Sequence, residues 1–311
     1  MSTLKSVFIK SGKSHVSFVF EVIALWGERK NIIEISHSGR NLRIKEAPQQ
    51  ICVVVPHPGR SGIFAKEDLE GFNGTLCSGA YAGYNAVEGI TRALCNNHSR
   101  RKFYYAFRFS FTKYQRTLAK NIMDKLDKCQ KLESGICDEI KQRHADDQKW
   151  HWTDEDFAER KKKRIERIAA TYDEIKTDCI EAKNDPLVYK NCLLMRAVDY
   201  FLNNKEGLGM FLKDGRIPFH NMRVEQIIKQ FATRRRSSLF NGSLEGARKD
   251  GINMTVIYTL ELNGLDVERY LCDYFEATRG KDAENNPELV KSFLPWSPEI
   301  QGKYKAKESL R

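Results

Sequence analysis

The chain has 311 residues, 41% of them hydrophobic, so it is long enough and apolar enough to bury a substantial core. Its 52 lysines and arginines outnumber its 41 acidic residues and leave a formal net charge of +11. This excess favours a polyanionic partner such as nucleic acid over acidic small molecules, although a merely basic surface would have the same composition.

The cysteines and the N-terminal segment argue against several protein classes. The eight cysteines are scattered, without a Cys-x-x-Cys pair or a Cys/His spacing typical of structural zinc, so we expect reduced thiols in a cytoplasmic protein. The apolar stretch from Val16 to Trp26 contains Glu21 and is too short to cross a bilayer. No small-residue cleavage site follows it, and we predict neither a membrane anchor nor a signal peptide.

Short strands are predicted first along the chain. Residues 1–60 contain β-branched and aromatic runs separated by Gly, Ser, Asn and Pro, a pattern that predicts a sheet. The segment HPGRSGIFAKEDLEGFNG then predicts a turn and a short helix, TLC a buried strand, and YAGYNAVEGI the start of another helix. This alternation is typical of the α/β class.

Helices dominate the rest of the sequence. From about residue 100 to 215, apolar residues recur at three- and four-residue spacing with charges between them, which predicts a helical block inserted after the sheet. The C-terminal part predicts two more helices, NMRVEQIIKQFATRRRSSLF and INMTVIYTLELNGLDVERYLCDYFEAT. The glycine-rich segment NGSLEGARKDG is predicted to connect them.

Two basic clusters are candidates for contacts with phosphate groups. The run from Arg160 to Arg164 lies in a predicted helix with acidic neighbours, which favours a solvated helix face over a phosphate contact. A second cluster ends a predicted helix just before an apolar segment, where three guanidinium groups could grip a phosphate backbone. Its members are Arg234, Arg235 and Arg236.

Five motifs, in order and at matching spacing, resemble those of one family. They are HPGRSGIFAKEDLEGFNGTLCSGAYAGYN, ALCNNHSRRKFYYA, AVDYFLNNKEGLGMFLKDGRIPFHNMRVEQ, RRSSLFNGS, and ELNGLDVERYL with FLPW. From about His57 to Pro298 the chain resembles the transposases of the insertion sequence 66 family. The second motif matches at Cys95 and His98 and then at the basic residues before Phe103, whereas residues 1–55 match poorly.

The resemblance implies an α/β fold with an RNase H-like mixed sheet core, interrupted by a large helical insertion and followed by a helical C-terminus. The implied regions are an N-terminal part of the core over residues 1–110, the insertion over 111–215, and a C-terminal part of the core over 216–311. In this family an Asp, Asp, Glu triad binds two Mg²⁺ ions that serve DNA cleavage and strand transfer. The implied partners are transposon ends and target DNA, with a homodimer as an open alternative.

Two of the three carboxylates of that triad are missing. The second Asp of the family falls on Gly79, and residues 1–67 contain no Asp that could be the first. The third position survives as Glu225, a vestigial ligand. The motif around it departs from the family at His220, Met222 and Gln226.

The missing ligands predict that no catalytic metal pair is bound. One carboxylate at about 4 Å from a divalent ion is worth roughly 8 kcal/mol at an effective dielectric near 20. Even half of that corresponds to about three decades of metal affinity for each ligand. We therefore expect the Mg²⁺ chemistry of the family to be absent from this chain.

Three hypotheses for function follow. The first is a degenerate or truncated copy of a transposase, since an unmatched N-terminus joined to a good match is what a shifted reading frame would produce. The second is a non-catalytic DNA-binding protein derived from a transposase. The third is a working enzyme that recruits Glu21, Glu67 or Asp68 as a replacement ligand. The residues predicted to contact phosphates are Arg100, Arg101, Lys102, Arg234, Arg235 and Arg236.

Overall fold

The computed structural model describes residues 7–11, 14–25, 32–36, 51–57, 61–147, 150, 152–222, 225–227, 243–282 and 286–305, the first three ranges by their backbone. These residues fall into two compact units. The first unit lies within Met1–Asn73, Ala82–Gly89 and Arg223–Arg311, and the second within Gly74–Tyr81 and Ile90–Met222. Strands and helices occur in both units, which confirms the mixed α/β character predicted from the sequence.

The first unit contains an antiparallel sheet. Strand β2 pairs with each of the other three strands, so that its Val22 lies opposite both Ser36 and Val54. The strands are β1 (Val7–Ser11), β2 (Ser14–Leu25), β3 (Ile32–Ser36) and β4 (Ile51–His57). The helices of this unit are α1 (Gly62–Asp68), a 3₁₀ turn (Ala82–Ala86), α9 (Leu244–Leu262), α10 (Val267–Thr278), α11 (Pro287–Lys291) and α12 (Pro298–Lys303).

Helix α9 packs along β4 and satisfies its backbone. Two threonine hydroxyls of α9 accept the N–H groups of alternate β4 residues, Thr259 from Cys52 at 3.1 Å and Thr255 from Val54 at 2.9 Å. Gly251 allows this close approach, because a Cβ atom there would lie 2.7 Å from the carbonyl oxygen of Val54. The helix therefore covers backbone groups that β2 leaves unpaired.

Part of the predicted glycine-rich connection is helical. Helix α9 already begins at Leu244, where the Ser243 hydroxyl accepts the N–H of Gly246 at 3.0 Å as an N-cap. The prediction of one helix from Ile252 to Thr278 is also wrong. Gly264 has a φ of 65°, which ends α9, and a new helix starts after the Asp266 cap.

The second unit combines a pair of parallel strands with a block of helices. The strands are β5 (Thr75–Ser78) and β6 (Thr91–Leu94). The helices are α2 (Asn96–Phe109), α3 (Lys113–Gln142), α4 (Asp154–Arg167), α5 (Ala169–Asn184), α6 (Leu193–Asn203), α7 (Lys205–Leu208) and α8 (Met210–Lys213). They confirm the predicted helical block, while its boundaries at 111 and 215 as a separate domain stay a prediction.

Strand β6 replaces a helix that the sequence predicted. The segment after Tyr81 forms one 3₁₀ turn, and Gly89, with a φ of 75°, stops any continuation as a helix. The N–H of Thr91 then donates to the carbonyl oxygen of Gly74 at 2.8 Å, which begins the pairing of β6 with β5.

The predicted solvated face on α4 is partly buried. Arg164 is fully buried and Arg160 is 5% exposed, and both donate to the buried carboxylate of Glu133 on α3, at 2.7 Å from Nε of Arg164 and 3.0 Å from Nε of Arg160. Arg160 also reaches the carbonyl oxygen of Gly215 at 3.0 Å. Two of the five residues in this run are therefore internal, because they neutralise a buried acid.

Among the described residues, no helix has the length and apolarity needed to cross a membrane.

Candidate functional site

Gly79 lies at the carboxyl end of the parallel pair β5–β6. Strand β5 ends at Ser78 and β6 at Leu94, so the chain leaves both strands at the same edge. The N–H of Cys95 donates to the carbonyl oxygen of Ser78 at 3.0 Å, which ties the start of α2 to the end of β5. Since α/β folds commonly place functional groups at the carboxyl ends of parallel strands, this turn is the candidate site of the second unit.

The imidazole of His98 packs against Gly79. A Cβ atom built on Gly79 would lie 3.3 Å from both Cε1 and Nε2 of His98. This contact is tight, so a side chain at position 79 would require the ring to move by a few tenths of an ångström. His98 is held there by the first turn of α2, which Cys95 precedes as the N-cap.

Arg92 brings a positive charge to the same turn from β6. Its Nη2 donates to the hydroxyl of Ser78 at 3.1 Å and to the carbonyl oxygen of Gly79 at 3.2 Å. A guanidinium group this close opposes the binding of a cation at the turn. The sequence analysis did not identify Arg92, because the strand that positions it was itself not predicted.

A thiol and an amide lie beside the imidazole. The backbone N–H of Asn221 donates to Sγ of Cys95 at 3.2 Å, and its Nδ2 donates to the carbonyl oxygen of Cys77 at 3.5 Å. Sγ of Cys95 and a ring nitrogen of His98 lie within 4.8 Å of each other. The candidate site of the second unit therefore presents nitrogen and sulfur donors around Gly79.

Asn96 fixes the start of α2 to the helical block. Its buried Nδ2 donates to the carbonyl oxygen of Leu208 at 3.0 Å, and its Oδ1 accepts from the hydroxyl of Tyr172 at 2.9 Å. Burial raises the pKa of Tyr172 well above its usual value, which keeps this donor protonated. The first turn of α2, and with it His98, is thus held in place by the surrounding helices.

Comparison with known proteins assigns the chain to a family. Residues 40–249 match the family model described as the IS66 family of transposases. The chain belongs to the IS66 transposase family. The matched range includes Gly79, His98 and Glu225, and the family resemblance read from the sequence motifs is confirmed.

The IS66 chain also has relatives among curated proteins. It is 29% identical over 253 residues to the uncharacterized protein y4hP and 26% identical over 247 residues to the uncharacterized protein y4jD, both of Sinorhizobium fredii (strain NBRC 101917 / NGR234). Each alignment covers 76% of this chain but only 42% and 44% of the respective relative, so the chain spans less than half the length of these proteins. No solved structure matches the chain significantly.

The residues around Gly79 do not fit a magnesium ion. Mg²⁺ takes oxygen ligands, preferably carboxylates, in an octahedral arrangement. At this position the chain offers the imidazole of His98 and the thiol of Cys95, which suit softer metals, beside the guanidinium group of Arg92. The glycine at position 79 supplies no ligand at all.

The other carboxylates considered from the sequence lie in the first unit. Glu225 is half-buried in a helical stretch over 225–227, and its role as the third ligand stays a prediction. Asp68 is buried at the end of α1 and bonded to Nε2 of His57 at 2.8 Å, which is typical of an internal structural pair. Glu67 is exposed, and the side chain of Glu21 lies outside the described residues.

The basic residues of α2 that were predicted to contact phosphates interact with other groups of the protein. The guanidinium group of Arg100 forms a two-pronged ion pair with Asp127 on α3. Nζ of Lys102 lies 4.6 Å from the ring centroid of Tyr200, and burial lowers its pKa. Arg101 is half-buried. The cluster at 234–236 lies outside the described residues, so its phosphate contacts stay a prediction.

Proposed function

We propose that this chain is a transposase-related, DNA-binding protein of a mobile insertion element whose DDE-type metal site is incomplete and inactive. Membership of the IS66 family supports the relation to transposases. The observation that carries the inactivity is the turn at Gly79, where His98 packs against a glycine at the position of the family's second Asp. The RNase H-like core and the Mg²⁺ dependence are inferred from the family.

The chemistry of the turn supports the loss of catalysis. Two-metal phosphodiester cleavage needs carboxylates that hold two divalent ions about 4 Å apart. At the turn, the guanidinium group of Arg92 adds repulsion to the absence of a ligand, since it donates to the carbonyl oxygen of Gly79 itself. Activity would therefore require changes at several residues and not merely the return of one carboxylate.

DNA binding is supported by charge. The sequence from Gly89 to Met123 contains no acidic residue, and its eight basic residues include the exposed Arg108, Lys113 and Arg116. Such a segment attracts a phosphate backbone without needing a metal. It favours the alternative that the chain acts as a DNA-binding protein in its own right. Transposon ends, target DNA and a homodimer are the partners that the family suggests.

A nicking assay tests the proposed inactivity. Purified protein incubated with supercoiled plasmid and Mg²⁺ or Mn²⁺ is expected to leave the plasmid intact, and Gly79→Asp is expected to do the same. Cleavage that is abolished by Glu225→Gln would contradict the proposal, because it would show that replacement ligands complete the site.

A salt titration tests the proposed DNA binding. Affinity for duplex DNA should fall steeply with salt, and Lys113→Ala should lower the slope of log affinity against log salt by about 0.9 if that side chain neutralises one phosphate. Lys291→Ala, which removes an exposed lysine of the first unit that is paired with Glu288, is the control. A salt-independent affinity would contradict electrostatic binding.

A further inference from the structure

Exposed aromatic rings occur on α2 and in the turn that precedes α3. Tyr104 is 40%, Tyr105 42%, Phe109 60% and Phe111 89% exposed. The rings of Tyr105 and Phe109 are stacked, with centroids 6.1 Å apart, and Tyr104 meets Tyr105 edge-on at 6.0 Å. These four residues are called the exposed aromatic surface.

The exposed aromatic surface is not part of the core packing of α2. The buried positions of this helix are Asn96, Ser99, Phe103 and Ala106, which recur at helical spacing along one side. Phe103, in contrast, is an aromatic side chain of α2 that belongs to the core, and it has no exposed surface. The other rings lie off that side, and their apolar area is left in water, where it is unfavourable without a partner.

Basic residues lie close to these rings in the sequence. Arg108 lies on α2 between Tyr105 and Phe109 in sequence, and Lys113 follows Phe111, and all of these residues are exposed. No acidic residue occurs in sequence from Gly89 to Met123. Asp185 accepts the hydroxyl of the next aromatic residue, Tyr114.

Flat apolar rings among cations fit a partner that has planar bases and a negative backbone. In duplex DNA the faces of the bases are stacked on one another and are not accessible, whereas in a single strand they can stack on aromatic side chains. A second copy of this chain would bring the same positive charge against itself. Charge complementarity therefore favours nucleic acid over self-association on this surface.

We propose that the exposed aromatic surface binds single-stranded DNA, with bases stacking on Tyr105 and Phe109 and phosphates contacting Arg108 and Lys113. The proposal rests on the proposed DNA-binding function and adds the form of DNA that the second unit takes. Strand transfer and excision both produce unpaired DNA, so such a surface would suit a protein of this family without requiring any metal.

Binding of labelled oligothymidylate, compared with a duplex of mixed sequence, tests the proposal. Tyr105→Ala and Phe109→Ala should each weaken binding of the single strand by about tenfold or more and leave duplex binding within about twofold. Tyr105→Phe keeps the ring and should retain affinity. Tyr105→Leu keeps apolar area without a flat ring and should lose affinity as Tyr105→Ala does. Phe275→Ala, which removes a 64% exposed ring of the first unit, is the control.

The outcomes separate this proposal from the function on which it rests. Duplex binding that persists while the alanine variants bind the single strand normally would overturn the stacking surface and leave the proposed function intact. Binding of neither form by the unsubstituted protein would contradict the proposed function itself. Two results would overturn the proposal in favour of apolar docking. One is a dimer that Phe109→Ala converts to a monomer in analytical ultracentrifugation. The other is full affinity of Tyr105→Leu for the single strand.

Discussion

Two regions of the second unit differ in the charged groups that they contain. On α3 and α4, Glu133 is buried with Arg160 and Arg164, and every one of these charges has a partner of opposite sign within hydrogen-bond distance. At the end of β5, an imidazole packs against Gly79, which we propose stands at the position of a carboxylate of the IS66 family. One region keeps a set of buried charges, and in our proposal the other has lost a charge.

This contrast indicates which charges folding requires. Removing one member of a buried ion cluster leaves the others without a partner in a medium that solvates them poorly, so the fold itself depends on the complete set. A carboxylate on a half-exposed turn can be replaced at little cost to stability, because water solvates whatever remains. In our proposal, the second unit therefore remains foldable after the loss of a ligand that only catalysis would need.

The largest expected effect comes from removing the central acid. Glu133→Gln should lower the free energy of unfolding by about 3–5 kcal/mol, since Arg160 and Arg164 would stay buried without a countercharge. Denaturation by urea, followed by circular dichroism, measures the change.

Glu139→Gln is the matched control for that substitution. Glu139 lies on the same helix and pairs with Lys163 and Arg167, but its side chain is 44% exposed. Its replacement should have a clearly smaller effect on unfolding than that of Glu133. Equal losses in the two variants would contradict the assignment of the stabilisation to the buried cluster.

The stability of the protein at acidic pH should depend on the same cluster. Burial alone would raise the pKa of Glu133, but the hydrogen bonds and charges of Arg164 and Arg160 outweigh it and lower the pKa from 4.5 to about 2. Because the folded pKa lies below the unfolded one, this contribution is present above pH 4.5 and is lost as the pH falls towards 2, by about 3 kcal/mol in all. Urea denaturation at several pH values should show this decline, and Glu133→Gln should flatten it.

A glycine next to the cluster gives the third prediction. A Cβ atom on Gly215 would lie 1.8 Å from the carbonyl oxygen of Phe157, so Gly215→Ala should force the α4 backbone away and destabilise the protein by about 1–3 kcal/mol. Gly135→Ala is its control, because a Cβ there meets nothing within 4 Å on the exposed face of α3. That variant should gain about 0.5–1 kcal/mol. Thermal unfolding of both variants distinguishes close packing from helix propensity.

Sequence patterns predicted what depends on periodicity and missed what depends on distant contacts. The helical block was predictable because apolar residues recur at helical spacing, and α1 because turn residues and a Ser cap precede it. Strand β6 was missed, since its four residues gain their conformation from pairing with β5. The buried roles of Arg160 and Arg164 were missed because their partner Glu133 lies on another helix.

The candidate site was predictable only through its motifs. The prediction that a ligand is missing at Gly79 follows from aligning the sequence with the family pattern, and periodicity alone would have indicated only a tight turn. The contact of His98 with Gly79 and the hydrogen bonds of Arg92 depend on how β6 and α2 follow β5 in space. Sequence motifs therefore led to the prediction of a missing ligand, whereas the fold shows which groups surround Gly79.

The smallest expected effect concerns the turn itself. Gly79→Asp should change the free energy of unfolding by less than about 1 kcal/mol, because the turn is half-exposed and the new carboxylate would lie beside the imidazole of His98 and near the guanidinium group of Arg92. The ring must shift by a few tenths of an ångström, and the new negative charge should make it hold a proton more strongly. An NMR titration of the His98 ring in both proteins measures that change, with His144, which is bonded to Asp156 on α4, as the internal reference. An unchanged titration of His98 would contradict the predicted contact of the new carboxylate with the ring. A loss of stability comparable to that of Glu133→Gln would remove the contrast between the two regions. It would mean that the turn is as tightly specified as the ion cluster, and that glycine at this position serves the fold.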